Sequence, residues 1–268
     1  MKNTLIVGAM LLALSAASTM AAASPCAAPE GAWGPFKPLA TSQKALATRG
    51  ALKIVALGSS STFGTGATSP GHAYPAQLAS ILQKRFVEAR IEVINAGIGG
   101  ETVDKNLARL DRDVLAKKPD LVIWQVGTND AFQKKSIADV YQGVLNGIAR
   151  IKKTGADVVL METQYFPGRP DTDALKAARA MVRKAAMETQ VGFLPRYTLM
   201  RHWIETGEFT PRTLLIADRI HMTDASYHCL ARRVADLLPG PDAVADGGMV
   251  AVTNNRDDNK ANGAIVAH

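Results

Sequence analysis

The sequence predicts a three-layer α/β/α sandwich around a central parallel sheet of about five strands. Short apolar runs recur along the chain from residue 52 onward, each ending near a glycine or a polar residue. Segments with helical spacing separate these runs, and parallel strands require crossover connections of that kind. With 268 residues, 47% of them hydrophobic, the chain can bury one substantial core without a second domain.

The elements alternate in order from the first strand. Leu52–Leu57 is an apolar run that Gly58 ends, which predicts a buried strand. Tyr74–Phe86 carries its apolar residues on one helical face, which predicts a helix packed on the sheet. The same pattern predicts further strands at Ile91–Asn95, Leu121–Val126, Asp157–Met161 and Val191–Leu194, and further helices at Glu101–Lys118, Ser136–Lys153 and Asp173–Thr189.

The two ends of the chain differ in composition from this central part. Asp224–Leu238 has helical spacing and predicts a terminal helix docked on the sheet. Beyond Pro239 the residues are mostly Gly, Asp, Asn and Ala without a sustained period, so we expect a flexible tail over 240–268. The catalytic or binding domain is therefore expected at 51–239, with residues 24–50 as a lead-in packed on it.

Residues 1–23 have the pattern of an export signal. Lys2 supplies the positive charge, Leu5–Ala17 is an apolar stretch, and Ala21–Ala23 offers small residues for cleavage. We expect an exported protein, periplasmic or secreted, that has no stable membrane insertion after cleavage. The alternative is an uncleaved membrane anchor, although Gly, Ser, Thr and many Ala dilute the apolar stretch.

Export bears on the two cysteines of the chain, because disulfides persist outside the cytosol. Cys26 and Cys229 are the only candidates, and we predict that they are bridged. Such a long closure contributes about 4 kcal/mol in chain-entropy terms, and it would hold the N-terminal segment against the last helix. The alternatives are two unrelated buried thiols or a lipid-modified Cys26.

The formal net charge of +7 is compatible with an anionic partner. The Lys and Arg residues are spread along the chain rather than gathered in one basic run, so nucleic-acid binding is not expected. Electrostatic binding of an anionic polymer remains open, and it would depend strongly on salt. No metal-ligand spacing of Cys and His and no phosphate-binding glycine loop occur, so we predict no cofactor and no metal.

Polar residues follow the predicted strands at the sheet edge where ligands of parallel sheets collect. They form four blocks in chain order. The blocks are Gly58–Gly64 (GSSSTFG), Asn95–Thr102 (NAGIGGET), Gly127–Asp130 (GTND) and Asp218–His221 (DRIH).

These four blocks, in this order and on these elements, resemble the SGNH/GDSL hydrolase family over about residues 52–238. The resemblance implies a flavodoxin-like fold and a serine ester hydrolase. It also implies roles for individual residues, with Ser60 as the nucleophile, Asp218 and His221 as its catalytic partners, and Ser60, Gly100 and Asn129 as the oxyanion hole. The chain departs from the family's Gly-Asp-Ser-Leu block at Ser59 and Ser61, neither of which is a triad position.

The residue chemistry agrees with that assignment. A serine hydroxyl becomes a nucleophile when a histidine takes its proton, and the histidine needs a partner that fixes its tautomer. Asp218 and His221 are three positions apart and can meet that second need within one turn. The oxyanion that develops on an ester carbonyl needs preorganised donors, and Gly100 lacks a side chain that would block its N–H.

Each of these residues also has an ordinary structural interpretation. Ser60 can be a helix-capping serine, Ser59 or Ser61 can be the nucleophile instead, and Asn129 can be a turn residue. The acidic residues Glu101 and Asp104 are explained by the dipole of a helix starting there. His72, His202, His228 and His268 lack an aspartate three residues earlier, and we expect no catalytic role for them.

The substrate is the least determined part of the prediction. Residues 163–168 follow the fourth strand, which makes Gln164 and Tyr165 candidates for a pocket wall, and the segment 197–217 is a candidate second wall or lid. We expect a small-molecule or polysaccharide ester with a short acyl group, such as the acetyl esters of carbohydrate. The alternatives are a lysophospholipase or thioesterase for longer acyl chains and a non-catalytic glycan-binding module. The oligomeric state is not predicted.

Overall fold

The computed structural model describes residues 25–33 and 39–240. Its centre is a five-stranded sheet in the order β2-β1-β3-β4-β5, with every neighbouring pair parallel. The strands are β1 (Ala51–Gly58), β2 (Arg90–Gly97), β3 (Leu121–Gln125), β4 (Asp157–Met161) and β5 (Gly192–Leu194). The chain moves outward from β1 in one direction to β2 and in the other to β3, so β1 and β3 flank a switch point where parallel sheets bind ligands.

Helices cover the sheet and provide the crossovers between its strands. They are α1 (Ala40–Arg49), α2 (Ser60–Phe63), α3 (Tyr74–Arg85), α4 (Val103–Ala108), α5 (Leu110–Asp113), α6 (Thr128–Phe132), α7 (Ile137–Lys152), α8 (Asp173–Thr189), α9 (Arg196–Glu205), α10 (Pro211–Leu214) and α11 (Asp224–Ala235). The predicted α/β sandwich with a parallel sheet of about five strands is confirmed. Within the described part of the chain, no helix is long and apolar enough to cross a membrane.

Two cores lie on opposite faces of the sheet because strand side chains alternate. Along β1, Leu52, Ile54 and Ala56 belong to one core, and Val55 and Leu57 to the other. The first core is completed by residues of α3, α9 and α11, and the second by residues of α4, α7 and α8. Strands buried on both faces explain why the sequence shows continuous apolar runs there.

Most predicted elements occur within a few residues of their expected bounds, with two main differences. The predicted helix Glu101–Lys118 is broken into α4, α5 and a short 3-10 turn. The break is at Arg109, whose backbone leaves the helical region and whose side chain turns inward to the ends of two strands. The lead-in contains a helix, α1, that the sequence did not reveal, because its few apolar residues form no clear stripe.

Cys26 and Cys229 form the predicted disulfide, which spans 203 positions. Its neighbourhood adds polar contacts. The Trp203 indole donates to the Ala27 carbonyl at 2.9 Å, and Arg232 donates to the Pro25 carbonyl at 2.9 Å. The segment 25–33 is therefore attached to α9 and α11. The predicted signal at 1–23 and the predicted tail lie outside the described residues, except for Gly240, and so does His268.

Candidate active site

The nucleophile candidate lies at the carboxyl end of the first strand. β1 ends at Gly58, and α2 begins at Ser60. The Gln125 side-chain oxygen, from the neighbouring β3, accepts hydrogen bonds from the N–H and the hydroxyl of Ser59, each at 2.9 Å. Ser59 is buried and committed to this contact, whereas Ser60 lines an open pocket. Ser60 is the first residue of its helix rather than the N-cap.

A tight turn presents the histidine to this serine. The Asp218 carboxylate accepts the backbone N–H of Ile220 at 2.8 Å and that of His221 at 2.9 Å through one oxygen. Its other oxygen lies 2.6 Å from His221 Nδ1. The opposite ring nitrogen, Nε2, lies 2.9 Å from the Ser60 hydroxyl. Asp218, His221 and Ser60 thus form one continuous hydrogen-bonded chain.

The charge on Asp218 is maintained by this turn. Partial burial favours the neutral carboxyl, but the backbone and ring hydrogen bonds of His221 and the N–H of Ile220 outweigh it. The pKa of Asp218 is therefore lower than its ordinary value. A carboxylate that stays ionised can hold the imidazole in one tautomer and can stabilise its protonated form.

Packing fixes the turn against the serine loop. Gly66 has φ of +96°, and a Cβ there would lie 2.6 Å from the Met222 carbonyl oxygen and 3.1 Å from the His221 Cβ. The hydroxyl of Tyr227, a residue of α11, donates to the Thr65 carbonyl at 2.8 Å. Because the two segments approach this closely, only a glycine at residue 66 lets the histidine reach the serine.

Gln164, which follows β4, connects the serine loop with the histidine turn. Its side-chain oxygen accepts the Ser61 hydroxyl at 3.0 Å, and its side-chain nitrogen donates to the Ile220 carbonyl. Gln164 is buried and lines the pocket, so it links the serine loop to the histidine turn. Tyr165, the other predicted wall residue, instead packs edge-on against Tyr197 with ring centroids 5.3 Å apart, and it is absent from the lining of this pocket.

The predicted oxyanion donors face the same pocket. Gly100 has φ of +75°, a conformation that favours glycine, and a Cβ there would meet no atom within 4 Å. The Asn129 side-chain amide donates to the Glu101 carbonyl at 2.8 Å, which leaves its second hydrogen for a ligand. Neither Ser60 N–H nor Gly100 N–H has an acceptor in the described part of the chain. These groups can converge on one oxygen atom of a bound substrate.

The pocket itself has a volume of about 360 Å³. Glycines and small polar side chains form most of it, and Phe132 and Ile220 are its large apolar members. The lining residues are Ser59, Ser60, Ser61, Thr65, Gly99, Gly100, Thr128, Asn129, Phe132, Gln164, Ile220 and His221. The predicted lid segment 197–217 contributes none of them, and its aromatic residues Trp203 and Phe209 are buried in the core.

Arg109 is a supporting residue that the sequence did not reveal. Its guanidinium donates to the Ala96 carbonyl at 2.8 Å and to the Gly58 carbonyl at 3.3 Å, and it pairs with Glu101 at 2.7 Å. It therefore connects the ends of β1 and β2 with the loop that carries Gly100. Glu101 is thus a partly buried ion-pair partner rather than a helix-start acid, since α4 begins two residues later. No sequence signal marks this arginine, because it lies within an apparently continuous helical pattern.

The remaining candidates are peripheral. His202 lies on α9, and His228 lies on α11, where its Nδ1 is 3.3 Å from the Gln77 side chain.

In the described residues, one group of possible metal ligands brings Cys26 and Cys229 together with Glu208. Both sulfur atoms are already bonded to each other, so the thiolates that a metal would need are not available.

This chain is similar in sequence to known proteins. The family model described as the non-GDSL lipase-like family matches residues 25–240. An acetylxylan esterase from Geobacillus stearothermophilus is 29% identical over 175 residues, which are 60% of this chain and 78% of that protein. An arylesterase from Vibrio mimicus is 30% identical over 150 residues, which are 55% of this chain and 70% of that protein.

Solved structures agree with the sequence relatives. The crystal structure of Axe2, an acetylxylan esterase from Geobacillus stearothermophilus, has a TM-score of 0.59 at 25% identity and covers 69% of this chain and 93% of that chain. Catalytic mutants of that esterase replace an aspartate and a histidine three positions apart. With the family match over most of the chain, this protein belongs to the non-GDSL lipase-like family and is a carboxylic ester hydrolase.

Proposed function

We propose that this protein removes short acyl groups, chiefly acetyl, from esters of carbohydrate by a Ser60-His221-Asp218 mechanism. The single observation that carries the proposal is the continuous chain from Asp218 through both nitrogens of His221 to the Ser60 hydroxyl, which opens on a pocket. Two hydrogen bonds in series, with the carboxylate at the far end, are what proton removal from a serine requires.

The proposed reaction has two halves. In the first, Ser60 Oγ attacks the ester carbonyl while His221 Nε2 takes the hydroxyl proton. The tetrahedral oxyanion accepts hydrogen bonds from the N–H groups of Ser60 and Gly100 and from the Asn129 amide. Its collapse breaks the bond to the leaving alcohol, which receives the proton from His221, and leaves an acyl group on Ser60.

In the second half a water molecule attacks that acyl group. His221 takes a proton from the water and returns it to Ser60 Oγ as the acyl–serine bond breaks. The acid is released and the resting enzyme is restored. Asp218 stays ionised in both halves, because its hydrogen bonds favour the carboxylate.

The shape of the pocket favours a short acyl group. Its walls near Ser60 are Gly99, Gly100 and small polar residues, and its volume of about 360 Å³ must also hold part of the alcohol. The segment 197–217 adds no aromatic lid over it, because Trp203 and Phe209 are buried elsewhere. A long acyl chain would have to lie largely in water, where its apolar surface gains nothing from binding.

The substrate class is supported by the relatives. The sequence match and the structural match to Geobacillus stearothermophilus both carry the name acetylxylan esterase. Export is part of the proposal, since an extracellular or periplasmic enzyme meets polysaccharide directly. The Cys26–Cys229 disulfide supports it, because such bonds persist outside the reducing cytosol. N-terminal sequencing of the protein recovered from its host tests removal of residues 1–23.

The activity test is a panel of p-nitrophenyl esters from acetyl to palmitoyl, together with acetate release from acetylated xylan. We expect kcat/KM to be highest for acetyl and to fall with chain length. Ser60→Ala should lose about 10⁶-fold in kcat, whereas Ser59→Ala and Ser61→Ala are the matched controls that retain turnover. Undiminished turnover by Ser60→Ala would overturn the nucleophile assignment. Failure of the wild type to hydrolyse any ester would favour a glycan-binding module instead.

A further inference from the structure

A second and larger cavity lies beside the active-site pocket. Its volume is about 530 Å³, against about 360 Å³ for the pocket that contains Ser60. The two share the histidine turn as a wall, since Arg219 lines the larger cavity and the next residue, Ile220, lines the pocket. The larger cavity is lined by Pro167, Gly168, Pro211, Arg212, Leu215, Ile216, Ala217 and Arg219.

The charge of this cavity is unbalanced. It is lined by two arginines and no acidic residue. Within the described part of the chain, neither guanidinium has a hydrogen-bond acceptor or an ion-pair partner. Several other surface arginines are ion-paired, for example Arg150 with Asp111 at 2.9 Å and Arg201 with Glu205 at 2.6 Å.

The nearest carboxylate does not neutralise these arginines. Asp218 precedes Arg219 in the chain, but its oxygens accept hydrogen bonds from Ile220 and His221. No ion pair within 4.0 Å joins it to Arg212 or Arg219 among the described residues. Two cationic side chains are therefore free to bind a ligand next to the reacting groups.

The walls that carry the arginines are well defined. Arg219 has φ of +58° in a turn closed by its own N–H on the Ile216 carbonyl at 2.9 Å. Arg212 lies on α10, whose start is fixed by a capping box between Thr210 and Thr213. Across the cavity, the Pro167–Gly168 turn follows Gln164 on the same loop. The cavity is thus built from three structured segments.

We infer that this cavity is a subsite for the alcohol side of the substrate, and that it selects acetylated polysaccharide bearing uronic acid groups. This inference rests on the proposed function. When an acetyl ester occupies the pocket at Ser60, the attached glycan must leave past the shared wall. A carboxylate on a neighbouring sugar then meets Arg212 and Arg219, and a guanidinium pairs with a carboxylate through two parallel hydrogen bonds. The proline faces supply apolar contact for the sugar rings.

The test compares two polymers with the same acetyl content, an acetylated glucuronoxylan and an acetylated xylan without uronic acid. We expect kcat/KM of the wild type to be about tenfold higher on the acidic polymer, the sum of two exposed ion pairs. The difference should reside in KM and should shrink as ionic strength rises, since salt screens exposed charges.

Variants of the two arginines test whether they cause the preference for the acidic polymer. Arg212→Gln and the double change Arg212→Gln with Arg219→Gln should lower the ratio of the two kcat/KM values towards one. The neutral polymer measured with the same variant is the internal reference for any change in folding. The matched control is Arg90→Gln, an exposed arginine at the opposite edge of the sheet, which should keep the wild-type ratio.

The outcomes separate this inference from the proposed function. Equal kcat/KM of the wild type on both polymers, together with normal hydrolysis of p-nitrophenyl acetate, overturns the acidic subsite alone. A preference that persists in the double variant overturns the assignment of the two arginines. Failure of the wild type to hydrolyse any ester overturns the proposed function and the subsite with it.

Discussion

Among the described residues, two places bring a hydroxyl, a histidine and an aspartate together, and only one of them has the geometry expected of a catalytic centre. The first, which we call the active-site group, is the proposed triad of Ser60, His221 and Asp218. The second, which we call the His72 cluster, consists of Thr68, His72 and Asp224 on the surface near α11. Both contain the residue types of a serine hydrolase triad, so residue type alone does not distinguish them.

The use of the two imidazole nitrogens does distinguish them. In the active-site group, Nδ1 of His221 contacts Asp218 at 2.6 Å and Nε2 contacts Ser60 at 2.9 Å. In the His72 cluster, the Thr68 hydroxyl and the Asp224 carboxylate both lie near Nδ1, at 2.8 and 3.0 Å. The Thr68 hydroxyl also donates to Asp224 at 2.5 Å. Its proton is therefore directed to the carboxylate, and the histidine is not placed to remove it.

Burial of the carboxylates does not explain the difference. The Asp218 side chain is 39% exposed and that of Asp224 is 30% exposed, so the more exposed carboxylate is the one in the active-site group. What matters is that His221 stands between its partners and that the serine faces a pocket with free N–H groups. The comparison shows that a triad is defined by the order of its hydrogen bonds.

The largest expected effect comes from replacing the histidine of each group by alanine in separate variants. His221→Ala should lower kcat for p-nitrophenyl acetate about 10⁶-fold, because the serine then has no base. His72→Ala is the matched control and should stay within about twofold of the wild type, since no step uses it. A comparable loss in both variants would show that the His72 cluster takes part in the reaction.

The two aspartates give the next largest contrast. Asp218→Asn should lower kcat about 10⁴-fold, because an amide can donate to Nδ1 and so favours the wrong tautomer of His221. Asp224→Asn, measured on the same ester, should leave kcat unchanged. If Asp218→Asn retained full activity, orientation of the histidine by this carboxylate would be wrong.

A smaller loss is expected at the proposed oxyanion donors, which have no counterpart in the His72 cluster. Asn129→Ala should lower kcat by about 10²–10³-fold with little change in KM, because the amide acts on charge that exists only in the transition state. Asn146→Ala, an exposed position on α7, is the matched control. A change confined to KM would indicate that Asn129 binds the ground state only.

The smallest effect concerns stability in acid. The pKa of Asp218 and that of Asp224 are both lowered in the folded protein, since hydrogen bonds to each carboxylate outweigh its partial burial. A lowered carboxyl pKa gives stability that is present above the unfolded value of about 3.9 and is lost as pH falls through the folded value.

Asp218→Asn and Asp224→Asn should therefore be less stable than the wild type near neutral pH, with differences that shrink below about pH 4. Urea unfolding at a series of pH values measures this. A difference that stays constant with pH, or grows in acid, would show that the two carboxylates are not stabilised by their hydrogen bonds in the folded state.

Much of the fold was predictable because it depends on local patterns. β4 and α8 have the predicted bounds. An apolar run between turns and a long amphipathic helix can each be recognised from consecutive residues. The helix α1 was missed because its burial depends on the sheet it packs against rather than on its own stripe of apolar residues. The break of the helix at Arg109 was missed for a related reason, as the contacts that cause it come from β1 and β2.

The candidate site, like the fold, has features that depend on local sequence and features that depend on tertiary contacts. The sequence by itself determined the order of the polar blocks after the strands and the local Asp218–His221 turn, because both depend on residues near one another in the chain. Only the tertiary structure decided that His221 reaches Ser60 across 161 positions, that Gln164 joins the two loops, and that Tyr165 turns away from the pocket. The order of the hydrogen bonds and the unpaired charge of Arg212 and Arg219 depend on contacts between segments far apart in the chain. A local sequence pattern contains no information about such contacts.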